Sequence, residues 1–337
     1  MSALSLHVAV EKLRLASPFR ISGFVFEAQD AVVVTLDDGK HRGRGEASGV
    51  YYLNDNAPEM VAAIEANRKA IEAGIDRDGL QKLLPPGGAR NAVDCALWDL
   101  DAQRTGKDVW QLAGLESVKP LITTFTMGAD DPSVMADGAR KFAKARALKM
   151  KLTGDLDLDI ARVKAVRAAR PNTWLGVDAN QGYDIQKLDG LMGTLVESDV
   201  SLLEQPIRRG RESDLDGYTS PIPIAADESA LSLGDVPGLV GRFNVLNIKL
   251  DKCGGLTEAL AMAHAARKLG LGVMVGNMVG TSLAMAPAFV VGQLCDIVDL
   301  DGPVFLKEDR KPSLTYEDGT VWCGRDVWGS PPHATAA

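Results

Sequence analysis

Five charged residues recur at nearly even steps through the middle of this chain: Lys151, Asp178, Glu204, Asp227 and Lys249, separated by 27, 26, 23 and 22 residues. Each ends or nearly ends a short apolar run. Three carboxylates brought together repel one another unless a cation joins them. Oxygen donors with no Cys or His among them favour a hard ion, Mg2+ or Mn2+. Three protein ligands leave octahedral positions open for water and a substrate carboxylate. Lysines flank the set. Lys149 and Lys151, two apart on a strand, point to one side, and Lys249 stands across from them. A cation nearby lowers lysine pKa values, so one neutral lysine can act as a general base. The cation also stabilises the enediolate left when the carbon beside a carboxylate loses its proton. A lysine on each face lets one remove the proton while the other delivers one, which is racemase or epimerase chemistry. A single working face would suit elimination.

These residues need a scaffold that holds them at one height. Eight apolar runs, at 121–126, 148–152, 174–178, 201–204, 222–226, 245–249, 272–276 and 297–301, alternate with polar–apolar stretches. Several of these stretches, such as 158–169 and 256–269, are long enough for a helix. Strands alternating with helices imply parallel pairing through right-handed crossovers, and eight such units imply a (β/α)8-type barrel. A barrel carries its active site at the C-terminal ends of its strands. The other runs end at Thr126, Asn277, and Asp299 with Asp301. One charged strand end is ordinarily a turn into solvent; an ordered series of Lys, Asp, Glu, Asp and Lys is not explained that way.

Before the barrel, the chain reads as mixed α and β. Strands are expected within 1–12, at 31–36 and near 41–46, with a turn at Asp37-Asp38-Gly39 between the last two. Helices are expected over 57–73 and 89–106, the second closed by Gly106. Residues 313–327 return to a β-like pattern, and 330–337 read as a disordered tail.

Composition removes several classes. The net charge is −8 and no basic stripe appears, which argues against nucleic acid as the partner. No apolar run approaches the roughly 20 residues of a membrane span, and the N-terminus lacks a signal-peptide pattern. Cys95, Cys253, Cys295 and Cys323 form no C-x-x-C pair and have no zinc spacing, so they read as reduced thiols of a cytoplasmic protein. The four histidines are scattered.

At the strand ends the sequence resembles the enolase superfamily, in its muconate-lactonizing-enzyme subgroup. The matching motifs are Lys149-Met150-Lys151, Val177-Asp178-Ala179-Asn180, Leu203-Glu204-Gln205-Pro206, Ala226-Asp227-Glu228-Ser229 and the stretch from Asn247 to Gly255 (NIKLDKCGG). The resemblance spans nearly the whole chain. It implies an α/β fold, a (β/α)7β-type modified TIM barrel over 117–312 under an α+β capping domain over 1–116. The segment 313–337 would return to the cap. Lys or His bases beside Mg2+ and an enediolate are the mechanism attributed to such sites.

Within the subgroup the sequence is most similar to the dipeptide epimerases of the L-Ala-D/L-Glu type. The stretch 247–260 and Asp299-Leu300-Asp301-Gly302-Pro303 carry this likeness. The resemblance implies Mg2+-dependent 1,1-proton transfer at the C-terminal residue of a dipeptide. Lys151 and Lys249 would be the acid/base pair, and Lys149 would support the metal-bound carboxylate. Asp178, Glu204 and Asp227 would hold the ion, and Thr126, Asn277 and Val279 would line the substrate site. Asp299 and Asp301 would take the dipeptide's ammonium. Lys252 is the rival of Lys249. A soluble homo-oligomer with a small-molecule partner is expected.

Members selective for Glu place an arginine in the loop after the first strand. Here Phe24 aligns at that position, with Arg20 four residues earlier. A Phe would favour an apolar substrate side chain, because a carboxylate against it would lose hydration without a partner; Glu and apolar readings both remain open. Tyr51 and Tyr52 either shape the pocket or are ordinary surface aromatics. The rival reactions are those of o-succinylbenzoate synthase and muconate cycloisomerase. Their substrates carry no ammonium, so Asp299 and Asp301 discriminate. Intact lysines beside a full carboxylate set argue against a catalytically silent binding barrel.

Overall fold

In the computed structural model, residues 4–21 and 24–331 are described. The side chains at 19–24, including Arg20 and Phe24, lie outside the described residues, as does most of the expected tail.

The N-terminal layer is an antiparallel sheet of β1 (Ser5–Ile21), β2 (Phe24–Asp37) and β3 (Arg42–Ala47). The β2–β3 turn forms because Asp37 and Asp38 accept backbone N–H groups from Gly39 and His41, each at 2.7 Å. The helix Gly88–Thr105 lies directly on β3. Its closeness explains the glycines in β3: a Cβ at Gly43 or Gly45 would sit 2.1 Å from the carbonyl oxygen of Ala96 or Ala92. Gly106 ends this helix in the left-handed region, at φ +69°. The helix expected over 57–73 is instead two, Ala57–Ala66 and Arg68–Glu72. Asn67 breaks it by leaving helical geometry (φ −107°, ψ 7°) and bonding its side chain back to the Ala63 carbonyl.

The barrel follows. A short β4 (Leu121–Ile122) precedes β5 (Thr124–Met127), β6 (Ala147–Lys151), β7 (Trp174–Asp178), β8 (Leu202–Glu204), β9 (Ile224–Ala226), β10 (Val245–Ile248), β11 (Gly272–Val275) and β12 (Ile297–Val298). From β5 to β12 each strand pairs in parallel with the next. All eight apolar runs thus reach the barrel, although the first is split: 121–122 pairs with the C-terminal hairpin of β13 (Thr315–Glu317) and β14 (Thr320–Trp322). Full helices do not follow β8 and β9, where 3-10 turns at Glu212–Leu215 and Leu233–Leu239 serve. Side chains stitch the seam between β12 and β5. Thr123 Oγ1 accepts the Leu300 N–H at 2.9 Å, Asp301 accepts the Thr126 N–H at 2.6 Å, and Thr124 bonds Asp299.

The C-terminal end also touches the cap. Trp328 Nε1 donates to the Arg44 carbonyl on β3 at 2.7 Å, and Arg310 pairs with Glu46 and Glu11. No helix among the described residues is long and apolar enough to cross a membrane.

Candidate active site

Strand alternation brings the lysines inward. On β6, Leu148 and Met150 face the surrounding helices, so Lys149 and Lys151 face the barrel interior. Asp178 and Glu204 end the neighbouring β7 and β8, opposite each other in the ladder, and Asp227 follows β9. Lys249 follows β10, four strands from β6 in a barrel of eight, so it stands on the wall facing Lys151. All of these side chains are buried.

The three carboxylates each offer an oxygen within 4.8 Å of the others. Lys151 Nζ donates to Asp178 at 2.5 Å and Lys249 Nζ to Asp227 at 2.6 Å. Lys149 reaches Glu204 at 3.2 Å and also pairs with Asp299. Asn247, two residues before Lys249 on the same face, donates to the second Glu204 oxygen at 2.8 Å. This donor set, buried, all oxygen and anionic, fits a hard divalent ion held by Asp178, Glu204 and Asp227.

The same crowding of carboxylates and lysines shifts their protonation. Burial, then the Asp178 charge, pushes the Glu204 carboxyl up to about 7. Burial also opposes ionisation of Asp227, but Lys249 and Lys252 outweigh it and hold that carboxyl below the usual range. Burial alone would lower Lys249. The carboxylates of Asp227, Glu204 and Asp178 outweigh that effect, so Lys249 stands well above an ordinary lysine. The lowering of lysine pKa expected from the sequence is thus reversed at Lys249, because three carboxylates surround its ammonium at close range.

Lys252 is separated from the cleft. Its Nζ donates to Asp227 Oδ1 at 2.6 Å, to the Asn247 carbonyl at 3.1 Å and to the Asp227 carbonyl, while Lys149, Lys151 and Lys249 line the cleft. Two of these three Lys252 contacts hold Asp227 from beneath.

Thr126, Asn277, Val279, Asp299 and Asp301 all line the same cleft. Asp299 is already engaged by Lys149 and Thr124. Burial, then Asp299, raises the Asp301 carboxyl to about 7. The cap supplies the outer wall: Phe26 packs edge-on against Tyr51 (ring centroids 5.4 Å apart), and Tyr51 against Tyr52 (5.2 Å). These tyrosines are therefore pocket residues.

Several residues near the site lie outside the roles expected from the sequence. Asn247 was legible from the period of two that pairs it with Lys249. Asn180 and Glu228 line the cleft, and Asn180 Oδ1 and Glu228 Oε2 are buried without a hydrogen-bond partner among the described residues. Asn180 also adopts φ +42° and donates its N–H to Asp178 at 2.9 Å.

Residues 134–325 match the family described as Enolase C-terminal domain-like, and residues 3–114 match the Mandelate racemase / muconate lactonizing enzyme, N-terminal domain. The chain belongs to the enolase superfamily. This superfamily member is 42% identical over 292 residues to N-acetyl-D-glutamate racemase of Pseudoalteromonas sp., covering 86% of this chain and 92% of that one. It is 36% identical over 307 residues to L-Ala-D/L-Glu epimerase of Escherichia coli (strain K12), covering 91% and 96%. An enolase family member from Agrobacterium tumefaciens with homology to dipeptide epimerases, solved with sodium and L-Ala-L-Glu, superposes with a TM-score of 0.93. The two share 41% identity, over 97% of this chain and all of that one.

Proposed function

We propose that this enolase-superfamily chain is a Mg2+-dependent dipeptide epimerase, with Mn2+ as the alternative ion. The observation that carries the reading is the placement of Lys151 and Lys249 on facing walls of one cleft, beside three buried carboxylates. A bound ion would polarise the substrate carboxylate and stabilise negative charge on it. Lys151 and Lys249 would take and return the proton on the α-carbon of the C-terminal residue, one from each face. Lys149, between Glu204 and Asp299, would hold the carboxylate in place. Asp301 and Asp299 would receive the ammonium of the N-terminal residue, and Thr126, Asn277 and Val279 would border it.

The side chain of the epimerised residue would meet the aromatic wall of the cap. Among the described residues the cleft lining contains Phe26, Tyr51 and Phe305 and no arginine, which supports an apolar side chain. The named relatives, which act on glutamate compounds, support glutamate. The proposal covers both, and the relative rates of Ala-Glu and Ala-Phe separate them.

A second reading is racemisation of an N-acylated amino acid. It is favoured by the 42% identity to an N-acetyl-D-glutamate racemase and by the engagement of Asp299 with Lys149, since an N-acyl substrate brings no ammonium. Incubation with Mg2+ in D2O, with a library of L,L-dipeptides and with N-acetylglutamate, decides. Mass gain at the C-terminal α-carbon of dipeptides supports the epimerase. Gain in N-acetylglutamate alone selects the second reading, and no gain anywhere refutes both. A homo-oligomer in the cytoplasm completes the proposal, supported by the family resemblance and by four unpaired cysteines; light scattering of the purified protein tests the assembly.

A further inference from the structure

Asp251 lies two residues beyond Lys249, in the short turn Leu250–Cys253 that follows β10. It holds no metal-facing position and does not line the cleft. Its carboxylate is nevertheless buried, with no ion pair among the described residues. One oxygen, Oδ1, accepts two backbone donors from the cap: Ser48 N–H at 2.8 Å and Gly49 N–H at 2.9 Å. A buried carboxylate without a cation opposes folding, and its hydrogen bonds offset that cost only in part. Burial pushes this carboxyl up to about 7 despite both donors, and Asp55 and Glu46 add to the push.

What the carboxylate holds is the root of the aromatic wall. Ser48 is clamped at every polar group: its N–H by Asp251, its hydroxyl by the Val279 carbonyl at 2.6 Å, and its carbonyl by Gln29 Nε2 at 3.0 Å. Gly49 then turns the chain at φ +70°, where a Cβ would lie 2.0 Å from the Asp55 carbonyl oxygen. Tyr51 and Tyr52 follow at once in a single 3-10 turn, Tyr51–Leu53. On the other side, the turn carrying Asp251 is bonded to the carbonyl of Lys249 through the N–H groups of Lys252 and Cys253, at 3.0 and 3.1 Å. One turn of chain therefore joins the proton-transfer lysine to the segment that roofs the cleft.

We infer that Asp251 is a positioning residue that fixes the Ser48–Leu53 segment, and with it Tyr51 and Tyr52, over the substrate in register with Lys249. This rests on the activity reading above for its kinetic arm only. The roof contributes binding and water exclusion to the substrate, while Lys249 keeps its own contacts with Asp227, so losing the anchor falls on KM rather than kcat.

The test compares wild type with Asp251→Ala, Asp251→Asn and Ser48→Ala, using the substrate that takes up deuterium most readily. For Asp251→Ala, KM is expected to rise about tenfold with kcat within about threefold. Amide hydrogen exchange of the peptide spanning 48–53 should quicken about tenfold or more, while that of 245–249 stays unchanged. Asp251→Asn keeps one acceptor oxygen and should recover most of both effects. Ser48→Ala, which removes only the bond to Val279, should move both readouts in the same direction by a smaller factor; if Asp251→Ala does not fold, Asp251→Val, which keeps bulk but no acceptor, decides by the same two readouts. Unchanged exchange at 48–53, or a loss confined to kcat, overturns the inference. A wild-type chain silent toward every substrate sinks the activity reading alone; the exchange arm still decides this one.

Discussion

Glu204→Gln should stabilise the ion-free protein and cripple its ion binding at the same time. Glu204 stands between Asp178 and Asp227, fully buried, and its carboxyl is raised from 4.5 to about 7 by burial and by Asp178. A raised carboxyl binds its proton more tightly in the folded state. The stability it contributes is complete below 4.5 and is lost as pH rises through about 7. Above that pH the ionised side chain carries a penalty of about 3 kcal/mol as an upper bound. Glutamine avoids that charge. It gives up the contact with Lys149 at 3.2 Å but keeps an acceptor for Asn247, whose own Oδ1 has no partner among the described residues. The net gain at pH 8 is then about 1–2 kcal/mol, or about 2 °C in Tm for a chain of this length. With excess Mg2+ the order should reverse. Loss of one charged ligand weakens the ion by about a hundredfold or more, which removes about 3 kcal/mol of ligand stabilisation at saturation. Thermal melts at pH 8, in EDTA and in MgCl2, read both effects. A variant that melts below wild type in EDTA and keeps the full Mg2+ shift would refute the placement of the ion between these carboxylates.

The lysines should separate by face. Lys151→Ala and Lys249→Ala are each expected to lose α-proton exchange by about 10²–10⁴-fold, more severely from opposite epimers, whereas Lys252→Ala should weaken Mg2+ binding and slow both directions alike; equal losses for all three would argue against the assignment. Away from the site, burial raises the Asp99 carboxyl to about 6 although it accepts the N–H groups of Arg44 and Gly329 at 2.8 and 2.9 Å. Its contribution is complete below about 3.8 and is lost as pH rises through 6. The stability difference between Asp99→Asn and wild type should therefore move by about 3 kcal/mol in the variant's favour from pH 4 to pH 7, and urea unfolding that shows a constant difference across that range contradicts it.

Much of the site was legible because strand periodicity is local. Lys149 and Lys151 are two apart, and Asn247 and Lys249 are two apart, so each pair shares a face wherever the strand is placed. The helix break at Asn67 was hidden because its cause is a side chain turning back on its own backbone, which apolar spacing does not register. The split of the first barrel run at 121–122 was hidden because its partner strand, Thr320–Trp322, lies about 200 residues away. Lys249 and Lys252 are separated by three residues in sequence, and only the fold shows one in the cleft and the other beneath Asp227.

Residue types and spacing alone determined the barrel, the mouth proposed for the chemistry, and the carboxylates and lysines that stand there, since each follows from one strand's period and one repeating unit. The tertiary structure decided what depends on several elements meeting. Asp299 turns out to be shared between Lys149 and the seam to β5, and Tyr51 and Tyr52 become a cleft wall because Asp251 on the barrel grips Ser48 on the cap. Those contacts join residues about 150 to 200 positions apart, and no local pattern encodes where such distant carboxylates find their donors.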